Sequence, residues 1–262
     1  MPSVGRYTHA ILSRVPDSFQ NVPTVDGTCI DIDKAREQHQ HLASVLRDLG
    51  LDVLELPPDE QSPVSVFTAD CAFLINGIAL ICRPRSGDRA EDVATIKAVL
   101  KKDVGVRVEE LDNDNAFISG SDILFTGSEI FVGVGQDSNT EGASAVARLW
   151  PEFHCTTIAL EGSKHFNDRL NVAGADLLAV GSSHNCQTLL KRVEREAMER
   201  YECMKMVNLR NTELFSRYQT LTVPEDEAAK CLFVNGNLLT PHSNEIPDSS
   251  EVSFHAELLK IL

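Results

Sequence analysis

The feature that most constrains the fold of this chain is a short apolar strand–turn–strand unit that occurs four times. The copies read CAFLINGIALIC, SDILFTGSEIFVGV, RLNVAGADLLAVGSS and KCLFVNGNLLTPHS, and the predicted turn glycines are Gly77, Gly127, Gly174 and Gly236. These glycines are 50, 47 and 62 residues apart. Such a period is typical of architectures built from one repeated supersecondary unit.

Helix and strand patterns alternate between the hairpins. Apolar residues at helical spacing follow the first and second hairpins, and each helix is followed by a β-rich run. The predicted helices are 31–50, 88–102 and 141–149, and the predicted strands are 7–15, 51–56, 104–111 and 156–160. Each module therefore reads ββαβ in an α/β fold. Because a lone module cannot bury its helix face, the modules are expected to pack around a common axis.

The third module departs from this spacing. Residues 186–218 predict one long helix or two shorter ones, and we interpret this segment as a solvated amphipathic helical insertion. After the fourth hairpin the chain ends in VSFHAELLKIL, about three helical turns long. The predicted strand 7–15 then needs a partner to complete its own module, and an unpaired strand would be a liability. We expect one domain over residues 1–262.

Charge and composition exclude several classes of partner. A net charge of −15 and a pI near 4.9 argue against nucleic acid and against anionic membrane surfaces. A small cationic ligand is compatible with this charge. No Gly-rich phosphate loop occurs and the histidines form no cluster with metal-ligand spacing, so neither a cofactor nor a metal is expected.

The cysteines and the N-terminus bear on the compartment. Seven cysteines are present without a CxxC pair, so neither a disulfide framework nor a zinc site is indicated. We find no signal peptide pattern and no apolar run of about 18 residues. These features predict a reducing compartment.

Four stretches resemble the dimethylarginine dimethylaminohydrolase (dimethylargininase) family. They are RYTHAILSRVPDS, VFTADCAFLINGIALICRP, ISGSDILFTGSEIFVG, and LNVAGADLLAVGSS together with LTVPEDEAAKCLFVNG. The resemblance covers nearly the whole chain. It implies a five-module α/β-propeller, here with an incomplete last module, whose central channel binds a small guanidino or amino-acid ligand. It also implies a cytoplasmic location.

The resemblance also assigns site residues. His165 stands eight residues before Ala173, where the family places its catalytic histidine. Asp70 matches a carboxylate that holds the guanidinium, and Arg83 matches an arginine at the other end of the substrate. Paired carboxylates suit the planar fork of a guanidinium. The alternatives remain that His165 is a structural or surface histidine and that Arg83 is an ordinary loop arginine.

Four departures from the family pattern concern chemistry. Ala69 replaces one carboxylate, Ser119 replaces the acidic residue that orients the histidine, and Glu141 stands where an arginine clamps the substrate carboxylate. The nucleophilic cysteine of the family lies near the C-terminus, whereas no cysteine follows Cys231 here. Cys71 and Cys231 are expected to be packed rather than to replace it.

Three hypotheses follow. The first is a dimethylargininase-like protein that binds arginine-like ligands without hydrolysing them in this form. The second is an active amidino hydrolase, converting methylated arginine to citrulline, whose native chain is longer. The third is a regulatory or scaffold protein that uses the long predicted helix and the acidic surface.

Overall fold

A computed structural model describes residues 6–24, 27, 29–85, 89–162, 165–205 and 218–250. In the first half of the chain the elements are β1 (His9–Ser13), α1 (Ile32–Asp48), β2 (Asp52–Leu56), β3 (Ala72–Ile75), β4 (Ile78–Ile81), α2 (Ala90–Val99) and β5 (Arg107–Glu110). In the second half they are β6 (Ile123–Phe125), β7 (Glu129–Val134), α3 (Thr140–Leu149), β8 (His154–Ala159), β9 (Leu170–Gly174), β10 (Leu177–Gly181), α4 (His184–Lys205), β11 (Gln219–Val223), β12 (Leu232–Val234) and β13 (Asn237–Leu239).

Three modules have the predicted ββαβ order. In each, an antiparallel hairpin is followed by a helix, and the next strand pairs in parallel with the second hairpin strand. The three sheets are β3-β4-β5, β6-β7-β8 and β9-β10-β11. Parallel pairing needs a crossover of this kind because a tight turn cannot join parallel strands.

The two end segments are partial versions of the module. β1 and β2, which precede and follow α1 in the chain, pair in parallel with His9 opposite Asp52, so the first strand has a neighbour in a two-stranded sheet. β12 and β13 form the fourth hairpin. The predicted segment VSFHAELLKIL lies outside the described residues.

The hairpin turns depend on residues that accept a left-handed backbone. Asn76 and Gly77 have φ of 52° and 76°, and Asn235 and Gly236 have φ of 51° and 85°. Two successive positive φ values suit the twist of an antiparallel hairpin. In the third hairpin Asp176 takes this role with φ of 55°, whereas Gly174 pairs with Leu177 inside the ladder. The prediction that this hairpin turns at Gly174 is therefore wrong.

The helices begin and end where local chemistry favours it. The Asp31 side chain accepts a hydrogen bond from the Lys34 amide at the start of α1, and Gly50 adopts φ of 82° just beyond its end. α2 continues into one π-helical turn, Leu100–Val104, which stops at Gly105 with φ of 74°. These bounds are close to the predicted helices 31–50 and 88–102.

The long helix α4 joins β10 to β11, which pair in parallel. It therefore occupies the crossover position that α2 and α3 occupy in their modules. The crossover of the third module is longer because α4 has 22 residues, whereas α2 and α3 have 10 each. Leu189, Leu190 and Val193 of α4 are buried in one cluster with Phe131 and Leu170. The remaining residues of the predicted helical stretch, 206–217, lie outside the described part.

The chain divides into two compact units, Gly5–Gly120 and one containing Ser121–Leu262. The first has a core around Cys71, Ala79, Ile81, Ile96 and Leu100. The second has a larger core that includes Leu124, Phe131, Ile158, Phe166 and Leu170. A single domain over 1–262 stays a prediction. Among the described residues, no helix combines the length and apolar character needed to cross a membrane.

Candidate functional site

His165 lies at the start of a short 3-10 turn that precedes β9. Its backbone amide donates to an Asp168 carboxylate oxygen at 3.0 Å, which caps the turn Phe166–Asp168. The next side chain, Phe166, is fully buried in the core of its unit. Phe166 thus fixes the turn to the core, while the His165 side chain keeps 27% of its surface exposed.

A buried carboxylate orients the imidazole. Asp122 Oδ1 lies 3.0 Å from His165 Nδ1 and also accepts from the Phe166 amide at 3.1 Å. Its second oxygen accepts from the Ser138 hydroxyl at 2.6 Å. Because Asp122 is 2% exposed and held by these donors, it fixes the orientation of the ring.

A second carboxylate faces the other ring nitrogen. Asp137 Oδ2 lies 3.7 Å from His165 Nε2, and Asp137 is itself buried. An imidazole held between two carboxylates can accept a proton and be stabilised as a cation. The arrangement also gives this site a negative character that suits a cationic ligand.

The expectation that Ser119 leaves the histidine without an acidic partner is wrong, because Asp122 supplies one. Ser119 has another role in its own unit: its hydroxyl donates to Asp70 Oδ1 at 3.0 Å. The sequence offered a signal for Asp122, since both residues belong to the quoted run Ser119-Gly120-Ser121-Asp122. The spacing alone did not show which position meets the imidazole.

Asp70 ends a 3-10 turn before β3, and its carboxylate is bound within the chain. Arg89 Nη1 donates to Asp70 Oδ2 at 3.0 Å, so the predicted guanidinium-binding carboxylate does bind a guanidinium, that of Arg89. Arg83 and Ile118 form an antiparallel β-bridge in which each backbone amide donates to the other residue's carbonyl oxygen at 2.9 Å. This bridge brings Ser119 and Gly120 to the turn. Sequence reasoning missed Arg89 because the contact spans 19 residues.

Arg83 is half-buried, and its guanidinium points to backbone oxygens. Its Nη1 lies 3.1 Å from the Asn113 carbonyl oxygen and 3.4 Å from that of Ala116. It also lies along a cleft of about 420 Å³ beside α2 that Lys97 and Glu110 flank. These contacts support a structural role for Arg83 and leave its predicted role in substrate binding a prediction.

Two of the departures from the family pattern lie at exposed positions. Ala69 is exposed in the turn before β3. Glu141 is exposed in the first turn of α3, where a carboxylate interacts favourably with the helix dipole. The helix is capped by Asn139, whose side chain accepts from the Gly142 amide at 2.9 Å.

The candidate thiols are buried. Burial raises the pKa of the Cys71 thiol to about 11 and that of Cys231 to about 12. Burial also raises the pKa of Cys186. Since the thiolate is the reactive form, these cysteines are poor nucleophiles at neutral pH, as expected for Cys71 and Cys231.

In the described part of the chain, no group of three or more His, Cys, Asp or Glu side chains has the arrangement of a metal site.

Several solved structures share the fold of this chain. A mutant of the dimethylarginine dimethylaminohydrolase from Pseudomonas aeruginosa, complexed with citrulline, superposes with a TM-score of 0.77 at 21% identity, covering 98% of this chain and 92% of that one. The N-terminal domain of ArgZ, a cyanobacterial arginine dihydrolase, gives a TM-score of 0.69 at 17% identity, with coverage of 96% and 88%. The chain thus has a mixed α/β fold similar to that of these two enzymes.

Sequence relatives narrow the assignment. The family model for eukaryotic N,N dimethylarginine dimethylhydrolase matches residues 14–202. Human DDAH2 is 32% identical over 258 residues, which cover 95% of this chain and 84% of the human protein. The Pseudomonas aeruginosa enzyme is 26% identical over 216 residues, covering 80% and 74%. This chain belongs to the dimethylarginine dimethylaminohydrolase family.

Proposed function

We propose that this 262-residue chain is a dimethylargininase-like protein that binds small guanidino ligands and does not hydrolyse them. Family membership supports a guanidino ligand, and a structural relative binds citrulline. The carboxylates of Asp122 and Asp137 beside His165 favour a ligand that carries positive charge. A five-module α/β-propeller in one domain, with the ligand in its channel, is part of the same proposal.

The observation that carries the proposal is an oriented histidine together with described thiols, Cys71 and Cys231, whose pKa values are raised by burial. His165 has a carboxylate partner and can move protons. Hydrolysis of a guanidinium in this family also needs a thiolate, and the raised pKa values of Cys71 and Cys231 disfavour one. We further propose a cytoplasmic location, because the family resemblance implies one and the seven cysteines without a CxxC pair are typical of a reducing compartment.

The test has two measurements on the same protein. Thermal unfolding is followed with arginine, its methylated forms and citrulline. A ligand at 100 times its Kd adds about 2.7 kcal/mol to the free energy of unfolding, which is readily seen as a shift in Tm. Citrulline formation from asymmetric dimethylarginine is assayed in parallel, and we expect a Tm shift without turnover.

The His165→Ala variant is the control for both measurements. If binding occurs near the imidazole, the variant loses most of the Tm shift measured from its own unliganded Tm, which should be lower because the buried Asp122 loses one of its donors. Absence of a shift with every ligand would contradict the binding proposal. Citrulline formation that disappears in His165→Ala would contradict the inactive assignment.

The second candidate function is an active amidino hydrolase converting methylated arginine to citrulline and methylamines. The observation that favours it is the His165–Asp122 pair, since a carboxylate-oriented imidazole is the proton-transfer part of such chemistry. The citrulline assay separates the two candidates, because only the active hydrolase gives turnover that depends on His165.

A further inference from the structure

We propose that Asp70, Asp92 and the Phe67 carbonyl form a guanidinium-binding site that the chain fills with its own Arg89. The ligand class of this site is a guanidinium, and the native occupant is intramolecular. Asp70 is accordingly a positioning residue rather than a ligand for substrate.

The contacts use the whole fork of the Arg89 side chain. Nε donates to Asp92 Oδ2 at 2.6 Å, and Nη1 donates to Asp70 Oδ2 at 3.0 Å. Nη2 donates to the Phe67 carbonyl oxygen at 3.1 Å and lies 3.5 Å from Cys71 Sγ. A lysine ammonium could not reach these acceptors together, because it is a single point charge on a flexible stem.

The acceptors are held in place by further hydroxyl groups. Ser119 donates to Asp70 Oδ1 at 3.0 Å, and Ser62 donates to Asp92 Oδ2 at 2.7 Å. Arg89 is 8% exposed, Asp70 9% and Asp92 8%. The site is therefore built and buried, with two carboxylates arranged for one planar cation.

The presence of Arg89 limits the ability of Asp70 to bind a guanidinium from a ligand. Each of its carboxylate oxygens already accepts from a donor of the chain, Ser119 at Oδ1 and Arg89 at Oδ2. A ligand guanidinium would have to displace an intramolecular one, which is covalently linked to the site and so present at a high effective concentration. Asp70 and Arg89 instead fix the turn Thr68–Asp70 against the start of α2.

The main experiment is chemical rescue of the Arg89→Ala variant. This change removes the guanidinium and leaves a cavity between Asp70 and Asp92. We expect a lower Tm, and we expect millimolar methylguanidinium to raise it by about 3 °C or more, the shift for a ligand at roughly ten times its Kd. The wild-type protein should show a clearly smaller rise, since Arg89 fills this site and methylguanidinium can act only elsewhere, so the difference between the variant and the wild type reports the vacated site.

Two matched controls define the chemistry. Methylammonium carries the same charge without the planar fork and should rescue Arg89→Ala far less. The double variant Arg89→Ala, Asp92→Asn keeps the cavity and loses one carboxylate, so its rescue by methylguanidinium should disappear. Equal rescue of Arg89→Ala by methylguanidinium and methylammonium, or full rescue of the double variant, would overturn the proposal.

A second variant covers the case in which Arg89→Ala does not fold. Arg89→Lys keeps the charge and should lower the Tm clearly more than Arg195→Lys, since Arg195 is 63% exposed and pairs at the surface with Glu196. Equal Tm values for the two lysine variants would contradict a fork-specific site. None of these measurements uses His165 or turnover, so their outcome is separable from that of the proposed function.

Discussion

The contact between Gly120 and the turn before β3 gives a sharp prediction for Gly120→Ala. A Cβ at Gly120 would lie 2.0 Å from the Ala69 carbonyl oxygen and 2.9 Å from that of Ala72. Both atoms belong to the backbone, so no side-chain rotation can relieve the overlap. The φ of Gly120 is not positive, which means that space alone requires glycine here.

The expected cost is large because the backbone itself must move. Overpacking a tight site costs about 1–3 kcal/mol and occasionally more, and this contact is far shorter than van der Waals distance. The shift would also displace Ser119 from Asp70, and a hydrogen bond to a charged group contributes about 1.5–3 kcal/mol. We therefore expect Gly120→Ala to lower the free energy of unfolding by about 4 kcal/mol, near the top of the usual range for single substitutions.

The matched control is Gly77→Ala. Gly77 has φ of 76°, and a Cβ there would meet nothing within 4 Å, so its cost comes from backbone strain of about 1–2 kcal/mol. Urea unfolding followed by circular dichroism compares both variants with the wild type. A Gly120→Ala cost below that of Gly77→Ala, or within about 0.5 kcal/mol of wild type as for a neutral surface change, would refute the reasoning.

Three further predictions concern thiols and buried carboxylates. At pH 7.5, iodoacetamide should label Cys29, which is exposed, well before Cys71, of which about 0.03% is thiolate at a pKa near 11; peptide mapping with a urea-unfolded control checks this. Asp122→Ala should cost about 3 kcal/mol in urea unfolding, because it removes the acceptor of three donors, and a near-neutral result would contradict its buried role. Tyr218→Phe should cost about 1–3 kcal/mol, because the Tyr218 hydroxyl donates to the buried Glu129 carboxylate, and an unchanged Tm would argue against that bond.

The modular part of the fold could be predicted because it depends on local patterns. Apolar strands flanking a turn residue, then a helix period, define each ββαβ unit without reference to distant residues. The error at Gly174 has a local cause as well. Aspartate also tolerates a left-handed backbone, so the segment AGADL (residues 173–177) allows the turn at Asp176 as readily as at Gly174.

The candidate site was less predictable because its pairs are distant in sequence. The family resemblance points to His165, yet its partner Asp122 is 43 residues away. For the same reason nothing near Asp70 in the chain indicates that Arg89 pairs with its carboxylate, while a role of Asp70 in substrate binding stays a prediction. Spacing can propose which side chains carry chemistry, but three-dimensional packing decides which of them are already paired.

The sheet pairings described above have a consequence for how the chain folds. Every strand pairing in the described residues stays within one module, and the widest parallel pairings, His9 with Asp52 and Leu177 with Gln219, span only about 40 residues. Each sheet can therefore nucleate on its own, starting from a hairpin or a single crossover. We expect refolding to be limited by the slowest module rather than by total chain length, because closing short loops costs little entropy.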